Sequence, residues 1–327
     1  SPAAGSGKIA LIMGVANTRS IAWACVEHFI RQNWKVIVTC QSPKICDKVE
    51  PLLREKMGTH HILGCFSCDV ITDLIDDDQH APMVGSSSSL SSTSTTRPSI
   101  FQQRLFPILQ EQPLSAVVHC LAYAPNIKTT PLLQTTRNDF WHAQMVSSYS
   151  LVQVARQTKD LLRRHIPPLQ HEQHQLQHQH GNPTTPPGTS SITALSYLGA
   201  VRAVPGYHAM GPAKASLESI VRGLALELAD DDNDNNDDQI QVPIRVNAVS
   251  AGPLPTLSAK GGIAGFDQMR QEMQRRAPLG NITTDQVAST VQFLSSDAAS
   301  GITGQTIYVD GGYSIVAGPE LPHRRTS

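Results

Sequence analysis

The sequence predicts an α/β fold, a Rossmann-like doubly wound parallel sheet in a three-layer sandwich with helices on both faces. Short apolar runs alternate along the chain with longer amphipathic stretches. Strands separated by helices pair in parallel through right-handed crossovers, which places the helices on the two faces of the sheet. Polar and small residues follow several of the apolar runs, at the sheet edge where such folds bind ligands.

Each element is predicted from its hydrophobic periodicity and its flanking turn residues. Apolar runs of five to eight residues are interpreted as buried strands, and amphipathic stretches of ten residues or more as helices. In chain order the prediction is strand Lys8–Met13, helix Ser20–Gln32, strands Lys35–Thr39 and His61–Cys68, helix Ile100–Gln110, strand Ser115–Leu121, helix Asn138–Arg164, strand Ser190–Leu195, helix Tyr207–Ala229, strand Ile244–Ser250, helix Thr284–Ser296 and strand Gln305–Val309.

Three segments have the composition of low-complexity loops. Residues 76–99 run from an acidic cluster into a Ser/Thr tract, residues 165–187 are rich in His, Gln and Pro, and residues 230–240 are almost wholly Asp, Asn and Gln. Such segments lack the apolar side chains that offset the entropy of ordering. We therefore expect one domain over residues 1–327, interrupted by three insertions.

Charge and composition exclude several classes of protein. The 327 residues carry a formal net charge of −1 and no sustained basic stripe, so nucleic acid is not an expected partner. No apolar run reaches the roughly 18 residues of a membrane span. The six cysteines show no disulfide-scaffold spacing, which favours a reducing compartment. The chain begins at Ser1, from which we expect that a leader has been removed.

The turn after the first strand has the features of a dinucleotide site. Gly14, Ala16 and Ser20 are small enough for the backbone to approach a pyrophosphate at the start of the following helix. A tight turn that binds nothing is the alternative. After the second strand Gln41 is neutral, which favours NADH over NADPH. After the third strand, Asp69 can hydrogen-bond an adenine amine or cap a turn, and both alternatives stay open.

The segment after the fifth predicted strand carries the candidate catalytic residues. Lys214 follows Tyr207 by seven positions, about two helical turns, so the spacing predicts that both lie on one helix face. A nearby ammonium favours an ionised or strongly hydrogen-bonding phenol. A core tyrosine with an unrelated surface lysine is the alternative.

Residues 195–218 resemble the active-site segment of the enoyl-acyl carrier protein reductases of the NADH type, a divergent branch of the short-chain dehydrogenases/reductases. The wider superfamily has Tyr-x-x-x-Lys, whereas this chain has Gly211 four positions after Tyr207 and the Tyr-x6-Lys spacing of the enoyl reductases. Further segments resemble motifs of the same family: Gly14–Ala22, Val118–Pro125, Ser147–Ser150, Ser250–Leu257, Gly301–Gly304 and Val309–Gly312.

The resemblance implies hydride transfer from NADH to the β-carbon of a trans-2-enoyl thioester on acyl carrier protein, in fatty-acid biosynthesis. It implies that Tyr207 binds the thioester oxygen as charge develops there, that Lys214 holds the nicotinamide ribose, and that Tyr197 shapes the pocket. Residues 256–266, with three glycines, would form a mobile lid. The cofactor contacts it implies are Gly14, Ala16, Ser20, Ile21, Gln41, Asp69, Val70, Cys120, Ala122, Lys214, Ala251, Gly252, Pro253, Leu254 and Thr256. The substrate contacts it implies are Tyr123, Ala124, Tyr197, Tyr207, Met210 and Phe266.

The resemblance also implies a homotetramer, and the insertions favour a plastid stroma, with a bacterial cytoplasm as the alternative location. Pro212 departs from the family pattern, because a proline inside a helix would misplace Lys214 unless it falls in the first turn. Two other functions are kept as alternatives. One is a carbonyl reductase of the wider superfamily, and the other is a catalytically weak dinucleotide-binding protein.

No metal site is predicted. His171, His174 and His178 have helical spacing but belong to the Gln/His tract, which favours a low-complexity loop. Cys65 and Cys68 form a Cys-x-x-Cys pair without a second pair or partnering histidines, so zinc is not expected there. The acidic tract 230–240 is interpreted as a solvated loop.

Overall fold

The protein contains a seven-stranded, wholly parallel sheet. The structure, a computed structural model, describes residues 7–74, 98–110, 112–163, 190–229 and 243–318. The strands are β1 (Ile9–Met13), β2 (Lys35–Cys40), β3 (Ile62–Ser67), β4 (Ala116–His119), β5 (Ser190–Tyr197), β6 (Ile244–Ala251) and β7 (Thr306–Val309). They are ordered β3-β2-β1-β4-β5-β6-β7, and each neighbouring pair is parallel.

Helices connect the strands over the two faces of the sheet, as parallel pairing requires. In the described ranges these are α1 (Ile21–Arg31), α2 (Pro43–Met57), α3 (Ile100–Leu109), α4 (Arg137–Gln144), α5 (Ser150–Arg163), α6 (Met210–Glu227), α7 (Leu257–Gly262), α8 (Phe266–Arg276) and α9 (Thr284–Ser295).

Each face of the sheet has its own apolar core. Strand β1 shows the division, because Ala10 and Ile12 pack into the core beneath α1, α2 and α9. Ile9, Leu11 and Met13 pack into the core beneath α3, α5 and α6. Alternate residues of a strand point to opposite faces, so a strand that is buried on both sides is apolar throughout. These two cores give the three layers.

The predicted fold class is confirmed, and the seven predicted strands match β1 to β7 with shifts of one or two residues at their ends. The prediction of one helix over Asn138–Arg164 is refined, because a π-helical turn, Met145–Tyr149, separates α4 from α5. Helix α2 was not predicted. It is weakly apolar, with Pro51 inside it and only Cys46, Val49 and Leu53 buried, so its periodicity is faint.

The three predicted insertions fall mainly on residues that the structure does not describe: 165–187 and 230–240 lie wholly outside the described residues, as does 76–99 apart from its last two positions. The one-domain organisation therefore stays a prediction. Within the described ranges, no helix combines the length and the apolar character needed to cross a membrane.

Candidate active site

The predicted cofactor turn lies where the strand order reverses. The chain runs outward from β1 to β3 and then returns to β4 on the other side of β1. Gly14, directly after β1, has a φ of +86°, and a Cβ there would stand 2.5 Å from the carbonyl oxygen of Cys120, directly after β4. A side chain at Gly14 is therefore excluded both by conformation and by space. The crevice between these two strand ends is where doubly wound sheets bind nucleotides.

Side-chain hydrogen bonds shape the rest of this turn. Ser20 caps α1: its Oγ accepts the Trp23 N–H at 3.2 Å and donates to the Asn17 carbonyl at 2.8 Å. The Asn17 side chain in turn accepts the Arg19 N–H at 2.9 Å. No acidic residue lies in the first turn of α1, so the positive end of the helix is not neutralised locally. Ala16 is exposed at the turn and Ile21 opens the helix.

Gln41, Asp69 and Val70 follow neighbouring strands, β2 and β3, at the same edge. Gln41 is exposed, and Val70 is buried. The Asp69 carboxylate accepts the Ile71 N–H at 3.0 Å. The turn-capping role of Asp69 is thus seen, and its contact with an adenine stays a prediction.

Tyr197, the last residue of β5, packs against Tyr207. The rings of Tyr197 and Tyr207 lie 4.8 Å apart, centroid to centroid, at 58°. A Cβ on Gly199 would stand 2.3 Å from Cδ1 of Tyr207, so the ring of Tyr207 packs directly on this glycine. The Tyr197 hydroxyl donates to the Met269 sulfur at 2.9 Å. Burial, with a smaller effect of the other ring, raises the pKa of Tyr207 well above its usual value.

The prediction that Tyr207 begins a helix is wrong. Helix α6 begins at Met210, and His208 between them has a φ of +30°, a conformation that interrupts a right-handed helix. Tyr207 and Lys214 therefore do not share a helix face. Pro212 falls in the first turn of α6, where a backbone N–H has no intrahelical acceptor, so the proline removes no helical hydrogen bond.

Lys214 is 3% exposed and is held by backbone carbonyls. Its Nζ donates to the Leu195 oxygen at 2.7 Å and to the Leu121 oxygen at 3.4 Å. Burial lowers the pKa of Lys214 to about 8. Of the two forms that a nearby ammonium was expected to favour, the raised pKa of Tyr207 favours the neutral, hydrogen-bonding phenol over the ionised one.

The remaining cofactor candidates line the ends of β4 and β6. Ala122 follows β4 and is exposed. Ala251, Gly252, Pro253 and Leu254 are buried, and a Cβ on Gly252 would stand 2.7 Å from Cε of Met273.

Thr256 caps α7, because its Oγ1 accepts the Ala259 N–H at 3.2 Å. The segment predicted to be a lid thus contains helix α7. Gly261 and Gly262 lie within that helix, and Gly265 has a φ of +70° at the start of α8.

The predicted substrate contacts divide into two groups. Ala124, Tyr207 and Met210 belong to one apolar cluster, against which Tyr197 packs. Tyr123 is 50% exposed, and its backbone exchanges hydrogen bonds with the Ser147 hydroxyl in the π-helical turn. Phe266 is buried at the start of α8 and lines a separate cavity of about 440 Å³ with Lys128 and Lys260.

Residues that the sequence did not indicate also surround the tyrosines. A cleft of about 590 Å³ is lined by Tyr197 together with Arg202, Met269, Arg276 and Tyr313. Met269 and Arg276 come from α8 and Tyr313 follows β7, whereas Arg202 follows β5, inside the segment 195–218. The first three lie outside the motifs identified in the sequence, so no sequence signal located them.

His119, at the end of β4, lies in the segment Val118–Pro125, and the sequence indicated no role for it. It is wholly buried. One ring nitrogen, Nε2, lies 2.8 Å from the Ser150 hydroxyl. Burial, and then the charge of Lys214, lower the pKa of His119 to about 3, so the ring is neutral beside Lys214.

Comparison with known proteins agrees with this geometry. The profile described as enoyl-(acyl carrier protein) reductase matches residues 175–314. A Bacillus cereus protein named enoyl-acyl-carrier-protein reductase (NADH) FabI is 34% identical over 95% of this chain and 98% of its own. The Staphylococcus aureus protein of that name, designated NADPH, is 32% identical over 94% and 97%. The crystal structure of the Bacillus cereus enoyl-acyl carrier protein reductase with NADP+ and indole naphthyridinone has a TM-score of 0.73 at 31% identity, covering 95% of this chain and 98% of that one. The chain therefore belongs to the enoyl-acyl carrier protein reductase family, as its motifs predicted.

Proposed function

We infer that this protein reduces the trans-2 double bond of enoyl thioesters carried on acyl carrier protein, in fatty-acid biosynthesis. The observation that carries this inference is the buried Tyr207, neutral and packed against Tyr197, at the sheet edge that also presents Lys214. The carbonyl reductase alternative is disfavoured, because Gly211 stands where the wider superfamily has its lysine. The relatives named above are also called enoyl reductases.

Tyr207 is the proposed hydrogen-bond donor to the thioester carbonyl oxygen. When hydride reaches the β-carbon, negative charge develops on that oxygen, and a donor placed there in advance stabilises the transition state. A neutral phenol can donate, whereas a phenolate cannot. The raised pKa of Tyr207 therefore suits donation. The packing of its ring on Gly199 and Tyr197 restricts where the hydroxyl can lie.

Lys214 is proposed to hold the nicotinamide ribose. Its ammonium has three donors, and two of them bind the carbonyls of Leu195 and Leu121. These bonds keep the charged group in place and leave one donor for a ribose hydroxyl. With a pKa of about 8, Lys214 is mainly charged at neutral pH.

The chain fits a nicotinamide dinucleotide, which supplies the hydride when bound. Gly14 and Gly252 allow neighbouring segments to pack closely at the ends of β1 and β6, against Cys120 and Met273 respectively, and the start of α1 suits a pyrophosphate. Gln41 carries no charge that would bind a 2′-phosphate. This supports NADH as the preferred cofactor, although the relatives include one designated NADPH.

The substrate is proposed to approach Tyr207 past Tyr197. The cleft lined by Tyr197, Met269 and Tyr313 has room for an acyl chain, and Arg202 and Arg276 lie on its border. Ala124 and Met210, which pack with Tyr207, are proposed to contact the thioester end. Tyr123 and Phe266 are proposed to contact it only after the segment 256–266 closes.

Assembly and location are also proposed. We propose a homotetramer, which light scattering would test. We propose a plastid stroma because low-complexity insertions such as residues 165–187 are typical of eukaryotic proteins. A bacterial cytoplasm is the alternative, and the bacterial origin of the relatives supports it. Attaching any native leader to a fluorescent protein and observing where it accumulates would distinguish these locations.

The activity is tested by mixing the purified protein with crotonyl thioester and following the loss of reduced-nicotinamide absorbance. We expect oxidation of NADH, and faster oxidation with NADH than with NADPH. A folded protein that binds NADH but oxidises neither nucleotide would contradict the proposal and favour the dinucleotide-binding alternative. Turnover of ketones without turnover of the enoyl thioester would favour the carbonyl reductase.

A further inference from the structure

Three cysteine thiols from three separate elements meet on the α2 side of the sheet. Cys40 ends β2, Cys46 lies near the start of α2, and Cys65 lies within β3. Their three sulfur atoms all lie within 4.8 Å of one another, and the Cys40 and Cys65 sulfurs are 3.8 Å apart. Cys40 and Cys46 are buried, and Cys65 is partly exposed. The thiol cluster, defined as these three residues, lies outside the site described above.

The spacing of the thiol cluster matches three sulfur ligands around one metal ion. A metal–sulfur bond is about 2.3 Å long, so three sulfurs placed trigonally around an ion lie roughly 4 Å from one another. The Cys40–Cys65 separation of 3.8 Å fits this triangle, and the other separations reach it with movements of under about 1 Å, which a cysteine side chain can supply by a small rotation. A disulfide needs about 2.05 Å between sulfurs, and the three residues are free thiols.

The start of helix α2 and one basic side chain lie beside the thiol cluster. Cys46 lies just inside the first turns of α2, whose N-cap residue, Ser42, makes no side-chain hydrogen bond to the helix. The positive end of that helix favours negative charge on a nearby sulfur. Arg54, also on α2, interacts electrostatically with Cys65. Its Nη2 lies 2.7 Å from Oε1 of Glu50. The hydrogen bond to Cys65 and burial raise the pKa of Cys40, and burial raises the pKa of Cys46, so a metal ion would have to displace the protons of both thiols as it binds.

We propose that Cys40, Cys46 and Cys65 bind one Cu(I) ion, as a three-coordinate, all-sulfur site. Soft thiolate ligands select copper in this oxidation state, and zinc with the same ligands takes a fourth. In the described part of the chain, no histidine or carboxylate joins the three sulfurs to supply that fourth ligand. The Cys-x-x-Cys motif is not the site, because Cys65 groups with Cys40 and Cys46 rather than with Cys68.

The site lies directly behind the proposed cofactor edge. Cys40 immediately precedes Gln41, and Cys46 is in the helix that follows it. An ion that joins β2, α2 and β3 would restrain the turn that carries Gln41. Metal binding itself does not depend on the proposed function, so the experiment measures the metal and not the reduction of a substrate.

The test titrates the full chain with Cu(I) under anaerobic, reducing conditions in competition with a chromogenic Cu(I) chelator. We expect one Cu(I) per chain, with X-ray absorption showing sulfur neighbours only. Cys46→Ala and Cys65→Ala should each lose this binding. Cys68→Ala is the matched control, since it removes a buried thiol next to the same strand, and it should retain binding. Circular dichroism would establish that each variant is folded.

Three outcomes would overturn the proposal. The first is that the chelator removes all Cu(I) from the folded wild-type chain. The second is that Cys68→Ala loses binding as completely as Cys46→Ala, which would indicate general thiol reactivity. The third is that the chain retains Zn(II) with a nitrogen or oxygen neighbour and does not retain Cu(I).

Discussion

Replacing Gly199 by alanine tests the proposed placement of Tyr207 without altering any group that takes part in the chemistry. Gly199 lies in the 3₁₀ turn after β5. The added Cβ would stand 2.3 Å from Cδ1 and 2.6 Å from Cε1 of Tyr207. Both distances are far below ordinary van der Waals contact, so either the tyrosine ring or the turn must move.

The size of the effect follows from these distances. An ordinary contact begins near 3.4 Å, so the ring must retreat by about 1 Å, a misplacement that costs roughly 100-fold in rate when it affects a catalytic group. That is about 2.7 kcal/mol of transition-state stabilisation. The cost in folding stability should be that of overpacking, roughly 1–3 kcal/mol. We therefore expect a folded Gly199→Ala variant with kcat reduced about 100-fold and nearly normal NADH affinity.

The assay compares kcat for crotonyl thioester, the dissociation constant for NADH and urea unfolding among wild type, Gly199→Ala and Gly223→Ala. Gly223 is the matched control, because it lies in α6 and its added Cβ would meet no atom within 4 Å. An alanine in a helix interior is favoured over glycine by up to about 1 kcal/mol, so this control should be slightly stabilised and fully active. A folded Gly199→Ala variant with wild-type kcat would refute the argument that Tyr207 must lie where the structure has it.

Three further predictions concern the residues around Tyr207. Tyr207→Phe should lower kcat by about 10²–10³-fold and leave the NADH dissociation constant unchanged. The Tyr197 hydroxyl binds the Met269 sulfur, so Tyr197→Phe should lower kcat less. Equal losses in the two variants would contradict the assignment of Tyr207. Lys214 has a pKa of about 8 in the folded chain and 10.5 ordinarily, so between these pH values the unfolded chain binds a proton that the folded chain does not. The unfolding free energy of the cofactor-free protein should therefore rise with pH across that window, by about 3 kcal/mol relative to Lys214→Met, and a flat difference in urea unfolding from pH 8 to pH 10 would oppose this. Pro212→Ala should leave kcat unchanged, because the proline lies in the first turn of α6; a large gain in its steady-state activity would show that the proline does misplace Lys214.

Much of the fold could be predicted because its evidence is local. The runs that became β1 and β2 are apolar throughout since both faces of the sheet are covered. The small residues Gly14, Ala16 and Ser20 between the first strand and the first helix likewise marked that turn from sequence alone. Helix α2 was not predicted because its local pattern is weak. Only three of its side chains are buried, so its sequence shows little hydrophobic periodicity.

By itself, the sequence determined the parallel sheet, the family and the identity of the candidate catalytic pair. Only the tertiary structure decided what surrounds those residues. Burial, which depends on neighbours far away in the chain, keeps Tyr207 neutral and lowers the pKa of Lys214. The positive φ of His208 prevents α6 from beginning at Tyr207, where the spacing had predicted its start. The pairing of β2 with β3 brings Cys40 to Cys65 across 25 positions of sequence. Periodicity reports which face of an element is buried, but it contains no information about which distant residues share that burial.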